Sequence, residues 1–145
     1  MSIEKSFDNA FKRMVERKWD KIYVLVDIHD TIFEACYHEK ENHKWYPFAK
    51  EALQIMSYSR NISLILWTSS HKESINEYLE YFKANGISFD MVNSNSETKN
   101  NELSCFDEKT YFNVGIDDKF GFDAETDWEV VYNYLVEAIR LGKFK

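Results

Sequence analysis

The chain has 145 residues, a length that suits one domain. Its 18 Lys and Arg against 25 Asp and Glu leave a net charge of −7, which argues against nucleic acid as a partner, since such binding needs a basic face. Hydrophobic residues at 44% and charged ones at 30% describe an ordinary globular mixture. No apolar run approaches the ~20 residues of a membrane span.

The opening Met-Ser-Ile-Glu-Lys-Ser lacks the apolar stretch of a signal peptide. Two cysteines, Cys36 and Cys105, are too few for a disulfide framework, so the expectation is a cytoplasmic domain with no membrane partner. There is no repeat, low-complexity tract or linker, and residues 1–145 read as one unit.

In chain order, Phe7, Phe11, Met14 or Val15, and then Trp19 recur at helical spacing and predict an amphipathic helix within residues 1–20. Ile22 to Val26 is a short β-branched run that stops at Asp27, the mark of a strand buried on both faces. Pro47 opens a predicted helix over 47–59, with Phe48, Ala52, Leu53 and Met56 on its apolar side.

Ile62 to Trp67 forms a second strand run, ending in Thr68-Ser69-Ser70. Ser70 is suited to cap a helix carrying Ile75, Tyr78, Leu79 and Phe82, which Gly86 closes. Phe89 to Val92 predicts a third strand, 93–101 a polar loop, and Tyr111 to Ile116 a fourth strand ending at Asp117-Asp118. A last helix covers about 126–141. Strands separated by helices predict an α/β fold, a Rossmann-like three-layer α/β/α sandwich on a mostly parallel sheet.

In such folds ligands bind beyond the carboxyl ends of the strands. Strand one ends in Asp27-Ile28-His29-Asp30-Thr31, the second in Thr68, and the fourth in Asp117-Asp118, with Lys109 just before it. Any one of these residues alone reads equally well as a solvated turn or a helix cap. As a set, carboxylates from two strand tips need a cation between them, and a hydroxyl and an ammonium nearby suit phosphate oxygens.

This ordered set resembles the haloacid dehalogenase superfamily of phosphotransferases, whose first motif is an apolar strand followed by Asp-x-Asp-Gly-Thr. Val24 to Ile32 looks like a divergent copy; Thr68, Lys109 and Asp117-Asp118 match the second, third and fourth motifs, with Lys99 as the second choice of lysine. The resemblance covers residues 22–120 and implies a Mg²⁺-dependent phosphohydrolase acting on a small phosphorylated substrate, a phosphomonoester of nucleotidase type included.

By that resemblance Asp27 is the nucleophile and forms an aspartyl-phosphate, and Thr68 and Lys109 hold phosphoryl oxygens. Mg²⁺ is held by Asp27, the main-chain carbonyl of His29, and Asp117, with Asp118 in support. The departure lies at His29, which stands where the family has its acid/base aspartate, and at Asp30, which stands where it has glycine. Histidine, with a reference pKa of ~6.5, is able to make the same two proton transfers. A badly placed His29 would leave a slow enzyme, and the alternative is a binding module that keeps the metal site without turnover. A receiver-type signalling domain orders its acidic pair and acceptor the other way round.

Only residues 32–46 separate the first motif from Pro47, too few for a cap domain but enough for a hairpin flap. Its Tyr37, Trp45 and Tyr46 are candidates either to stack on a substrate ring or to pack on the domain's own surface. Cys36, His38 and His43 match no strong zinc spacing. Oligomeric state is not set by the sequence.

Overall fold

The computed structural model describes residues 2–34, 43–100 and 109–145. The fold is the α/β, Rossmann-like three-layer sandwich, built on a four-stranded all-parallel sheet of order β3-β2-β1-β4. Its elements are α1 (Ile3–Glu16), β1 (Ile22–Asp27), α2 (Ala49–Tyr58), β2 (Ile62–Trp67), α3 (Lys72–Ala84), β3 (Met91–Val92), β4 (Val114–Ile116) and α4 (Asp127–Arg140).

The central pair, β1 and β2, is apolar almost throughout because both of its faces are covered. Ile22, Val24 and Val26 join Ile62, Leu64 and Leu66 in one cluster with the buried faces of all four helices. Leu25 and Ile65 are equally buried but point the other way. Described residues from either end of the segment between β3 and β4 lie on that second face: Tyr111 meets Tyr23 edge-on at 5.9 Å, and Lys21 reaches Glu97 at 2.9 Å.

The topology explains this division. The steps from β1 to β2 and from β2 to β3 run in the same direction, so right-handed crossovers place α2 and α3 on one face. The step from β3 back across to β4 runs the opposite way, and its described residues Glu97 and Tyr111 fall on the other.

Several boundaries differ from expectation. The third strand starts at Met91 rather than Phe89, and the fourth at Val114 rather than Tyr111, since the chain ahead of each turns into the sheet. Ser70 is not the cap of α3: His71 holds that position without a side-chain bond, and the Ser70 hydroxyl pairs instead with Thr68 at 2.9 Å. Helix α2 begins two residues after Pro47 because Phe48 adopts a left-handed backbone, φ 67°. Gly86 is left-handed as expected at the end of α3, φ 77°.

Of the 32–46 insert, the described residues form the base of an antiparallel pair. Phe33 bridges Trp45, the Glu34 N–H donates to Lys44 O at 3.1 Å, and the Tyr46 N–H donates to Ile32 O at 3.0 Å. Tyr37, Cys36, His38 and Cys105 lie outside the described residues. Among the described residues, no helix is long and apolar enough to cross a membrane.

Candidate active site

Parallel pairing with β1 at the centre brings the decisive residues together. Asp27 ends β1, and Asp117 follows β4 directly, one residue past the Val26–Ile116 register pair. Ligand-capable oxygens of Asp27, Asp117 and Asp118 all lie within 4.8 Å of one another. Residues 90 positions apart in sequence thus share one corner of the sheet's carboxyl edge.

The corner is electrostatically unfavourable by itself. Burial and the facing Asp117 carboxylate push the Asp27 carboxyl up to about 6, against the opposing pull of the Ile28 N–H and the Thr31 hydroxyl. Asp117, only 4% exposed, is also raised, by burial and by Asp118, although the Lys119 N–H donates to its Oδ1 at 3.0 Å. No lysine is among the leading influences on Asp27. Oxygen-only donors of like charge, held by a preformed scaffold, fit a hard divalent cation such as Mg²⁺.

Thr31 is the bolt of this corner, and the sequence reading passed over it. It is fully buried; its Oγ1 donates to Asp27 Oδ2 at 3.2 Å and accepts the Asp118 N–H at 3.2 Å. The Thr31 carbonyl accepts the Trp128 Nε1–H at 2.6 Å, which ties the loop to α4. One hydroxyl therefore sets the spacing between the two strand tips. The signal was its place at the end of the Asp27–Thr31 motif, where a small side chain able both to donate and to accept is required.

Asp30 occupies the left-handed region at φ 58°, where the resembled pattern has glycine. Aspartate tolerates that conformation better than most residues, so the tight turn survives the replacement. Its N–H donates to Phe33 O at 2.7 Å, and the Ile32 N–H donates to Ile28 O at 2.8 Å.

His29 is placed differently from the carboxylates. Its Nε2 shares a hydrogen bond with the Tyr78 hydroxyl of α3 at 2.9 Å, and the two rings meet edge-on. Beside them His43 stacks on Phe33 at 4.5 Å, and Phe33 stacks on Phe82 at 5.4 Å. Burial lowers the basicity of His43, and the nearby His29 lowers it further. Trp45 belongs to the same wall: its Nε1–H donates to the Tyr81 hydroxyl at 3.0 Å, and Lys50 lies over its ring. Trp45 packs on the domain's own surface, the second of its two expected placements.

Thr68 stands one residue beyond Trp67, the register partner of Asp27. Its main chain is pinned on both sides by Asn93, at 2.8 Å from the N–H and 2.8 Å from the carbonyl. The two candidate lysines part company. Lys109 is exposed and adjoins Thr110, whose hydroxyl donates to Asn93 O at 3.5 Å. Lys99 lines a cleft with Lys18, Lys21, Tyr23 and Tyr111, toward the amino ends of the strands and away from Asp27.

An α/β sheet with an acidic corner at its carboxyl edge and a hydroxyl-bearing tip beside it is the class of protein that fold and site define. No protein-family model matches the chain, and no curated protein does. It is similar to a solved structure described as a conserved protein coded by locus from Bacteroides thetaiotaomicron, at 27% identity and a TM-score of 0.59, covering 84% of this chain and 92% of that one.

Proposed function

We propose that the chain is a Mg²⁺-dependent phosphohydrolase that cleaves small phosphomonoesters, nucleotides included, through an aspartyl-phosphate. The observation that carries the reading is the convergence of Asp27, Asp117 and Asp118 within 4.8 Å, with the Asp27 carboxyl raised to about 6. A carboxylate of that kind is ionised at neutral pH yet unstable without a cation, which suits a nucleophile toward an anionic phosphoryl group. Asp27, Asp117, Asp118 and the His29 carbonyl would hold magnesium, which supplies positive charge against the repulsion between carboxylate and phosphate.

The chain's own residues do the rest. Asp27 attacks phosphorus, the bond from phosphorus to the leaving oxygen breaks, and that oxygen takes a proton from His29. Water then attacks the aspartyl-phosphate and returns a proton to His29, and the phosphorus–Asp27 bond breaks to release inorganic phosphate. Thr68 and Lys109 hold phosphoryl oxygens, and Thr31 keeps the Asp27 carboxylate aimed.

One observation favours a second reading, a metal-dependent binding module without turnover: the His29 ring is engaged by Tyr78 on α3. Hydrolysis of 4-nitrophenyl phosphate with Mg²⁺ decides between them. On the enzyme reading the parent turns over, Asp27→Asn does not, and His29→Asp raises the rate. Inactivity of both the parent and His29→Asp selects the binding module.

A further inference from the structure

Trp67 is a residue that the proposed chemistry leaves unused. It is the last residue of β2 and the register partner of Asp27 on β1. Paired strands lie about 4.8 Å apart, and side chains at paired positions leave the sheet on the same side. The indole and the reactive carboxylate are therefore immediate neighbours at the carboxyl edge.

Trp67 is 37% exposed, whereas Trp128 is fully buried and Trp19 and Trp45 are half-buried. Trp128 and Trp45 each spend their Nε1–H on a protein acceptor, and Trp19 lies under the Arg17 guanidinium at 5.5 Å. Among the described residues, Trp67 makes no such pairing. Its backbone is nevertheless firmly held, because Asn93 clamps the next residue from both sides. A large flat ring on fixed backbone, open to solvent beside a nucleophile, is a stacking surface that loses little freedom on binding.

We propose that Trp67 is the platform for the leaving group, so that the substrate class is a phosphomonoester carrying a planar ring near the phosphate. This rests on the phosphohydrolase reading and deepens it. The ring is supplied either by an aryl phosphate, directly on the ester oxygen, or by a nucleoside monophosphate, one sugar further out. The flap's Trp45 is not available for this role, because it is bonded into the α3 wall.

The test measures kcat and KM with Mg²⁺ for 4-nitrophenyl phosphate, adenosine 5′-monophosphate and glycerol phosphate, using the parent, Trp67→Ala and Trp67→Phe, each checked for folding by thermal melting. Base–aromatic stacking predicts that Trp67→Ala raises KM for ring-bearing phosphates roughly ten- to hundredfold more than for glycerol phosphate, and that Trp67→Phe restores most of the difference. Whichever ring-bearing compound loses more identifies the source. Equal effects on all three substrates overturn the platform while leaving the phosphohydrolase reading intact. If neither the parent nor His29→Asp turns over any of them, the reading has failed, and calorimetric binding of the same compounds decides the platform alone. A preference for the nucleotide over glycerol phosphate that Trp67→Ala abolishes upholds it, and no preference overturns it.

Discussion

The two sides of the crevice are built on opposite principles. The carboxylate corner at the tips of β1 and β4 gathers three acidic side chains, and its leading influences raise the pKa of Asp27 and Asp117. The wall under α3 is aromatic and mutually bonded: Phe33 and Phe82 are buried, Trp45 bonds Tyr81, and the Tyr78 hydroxyl engages the His29 ring at the wall's edge. A corner that is unfavourable by itself serves something outside the chain, while a wall whose members satisfy one another serves the fold. Substitutions in the corner should therefore cost function and spare stability, and those in the wall should do the reverse.

The largest effect expected is on turnover. Asp27→Asn should lower phosphate-ester hydrolysis by about 10⁴-fold or more, as removal of a nucleophile does. Residual activity within tenfold of the parent, measured with 4-nitrophenyl phosphate, would falsify the nucleophile assignment. On the wall side, Phe33→Ala should cost about 3–5 kcal/mol in urea unfolding, because Phe33 is 1% exposed and ringed by aromatic neighbours.

Mg²⁺ sharpens the contrast. At about a hundredfold excess over its Kd it should stabilise the parent by about 2.7 kcal/mol, with the melting shift largely gone in Asp117→Asn. The shift should shrink as pH falls below about 6, since protons compete for Asp27. A shift of equal size in Asp117→Asn would place the cation elsewhere.

Without metal, the sign of the Asp27 effect on stability reverses the usual pattern for an aspartate. Its folded pKa of about 6 exceeds an unfolded value of about 3.9, so its contribution is complete below pH 4 and is lost as pH rises through 6. Asp27→Asn should accordingly melt higher than the metal-free parent at pH 7.5, by about 1–2 kcal/mol after allowance for partial solvent screening, and close to it at pH 4. Tyr78→Phe should cost only about 1 kcal/mol, the worth of one hydrogen bond, read by chemical denaturation. Asp30→Gly should be the mildest, a gain of up to about 1 kcal/mol from relief of the left-handed backbone.

Much of this was legible in the sequence, and for identifiable reasons. The runs Ile22–Val26 and Ile62–Trp67 announced buried parallel strands because both of their faces must be apolar. Each run broke off at a polar residue where the sheet meets solvent, which marked Asp27 and Thr68. Strand ends were less legible at Phe89 and Tyr111, whose aromatic character fits packing as well as pairing. The Thr31 bolt was missed because a buried threonine and a solvated one look alike in one dimension.

The sequence by itself determined the α/β class, the order of the strands and helices along the chain, and which residues stand at strand tips, since hydrophobic periodicity and polar interruption are local properties. Only the tertiary structure decided that β1 lies between β2 and β4, so that Asp27 meets Asp117, that Trp67 flanks the carboxylate, and that Lys99 falls at the far end of the sheet. The physical reason is that strand order and crossover direction are settled by packing between distant segments, and no window along the chain contains both partners.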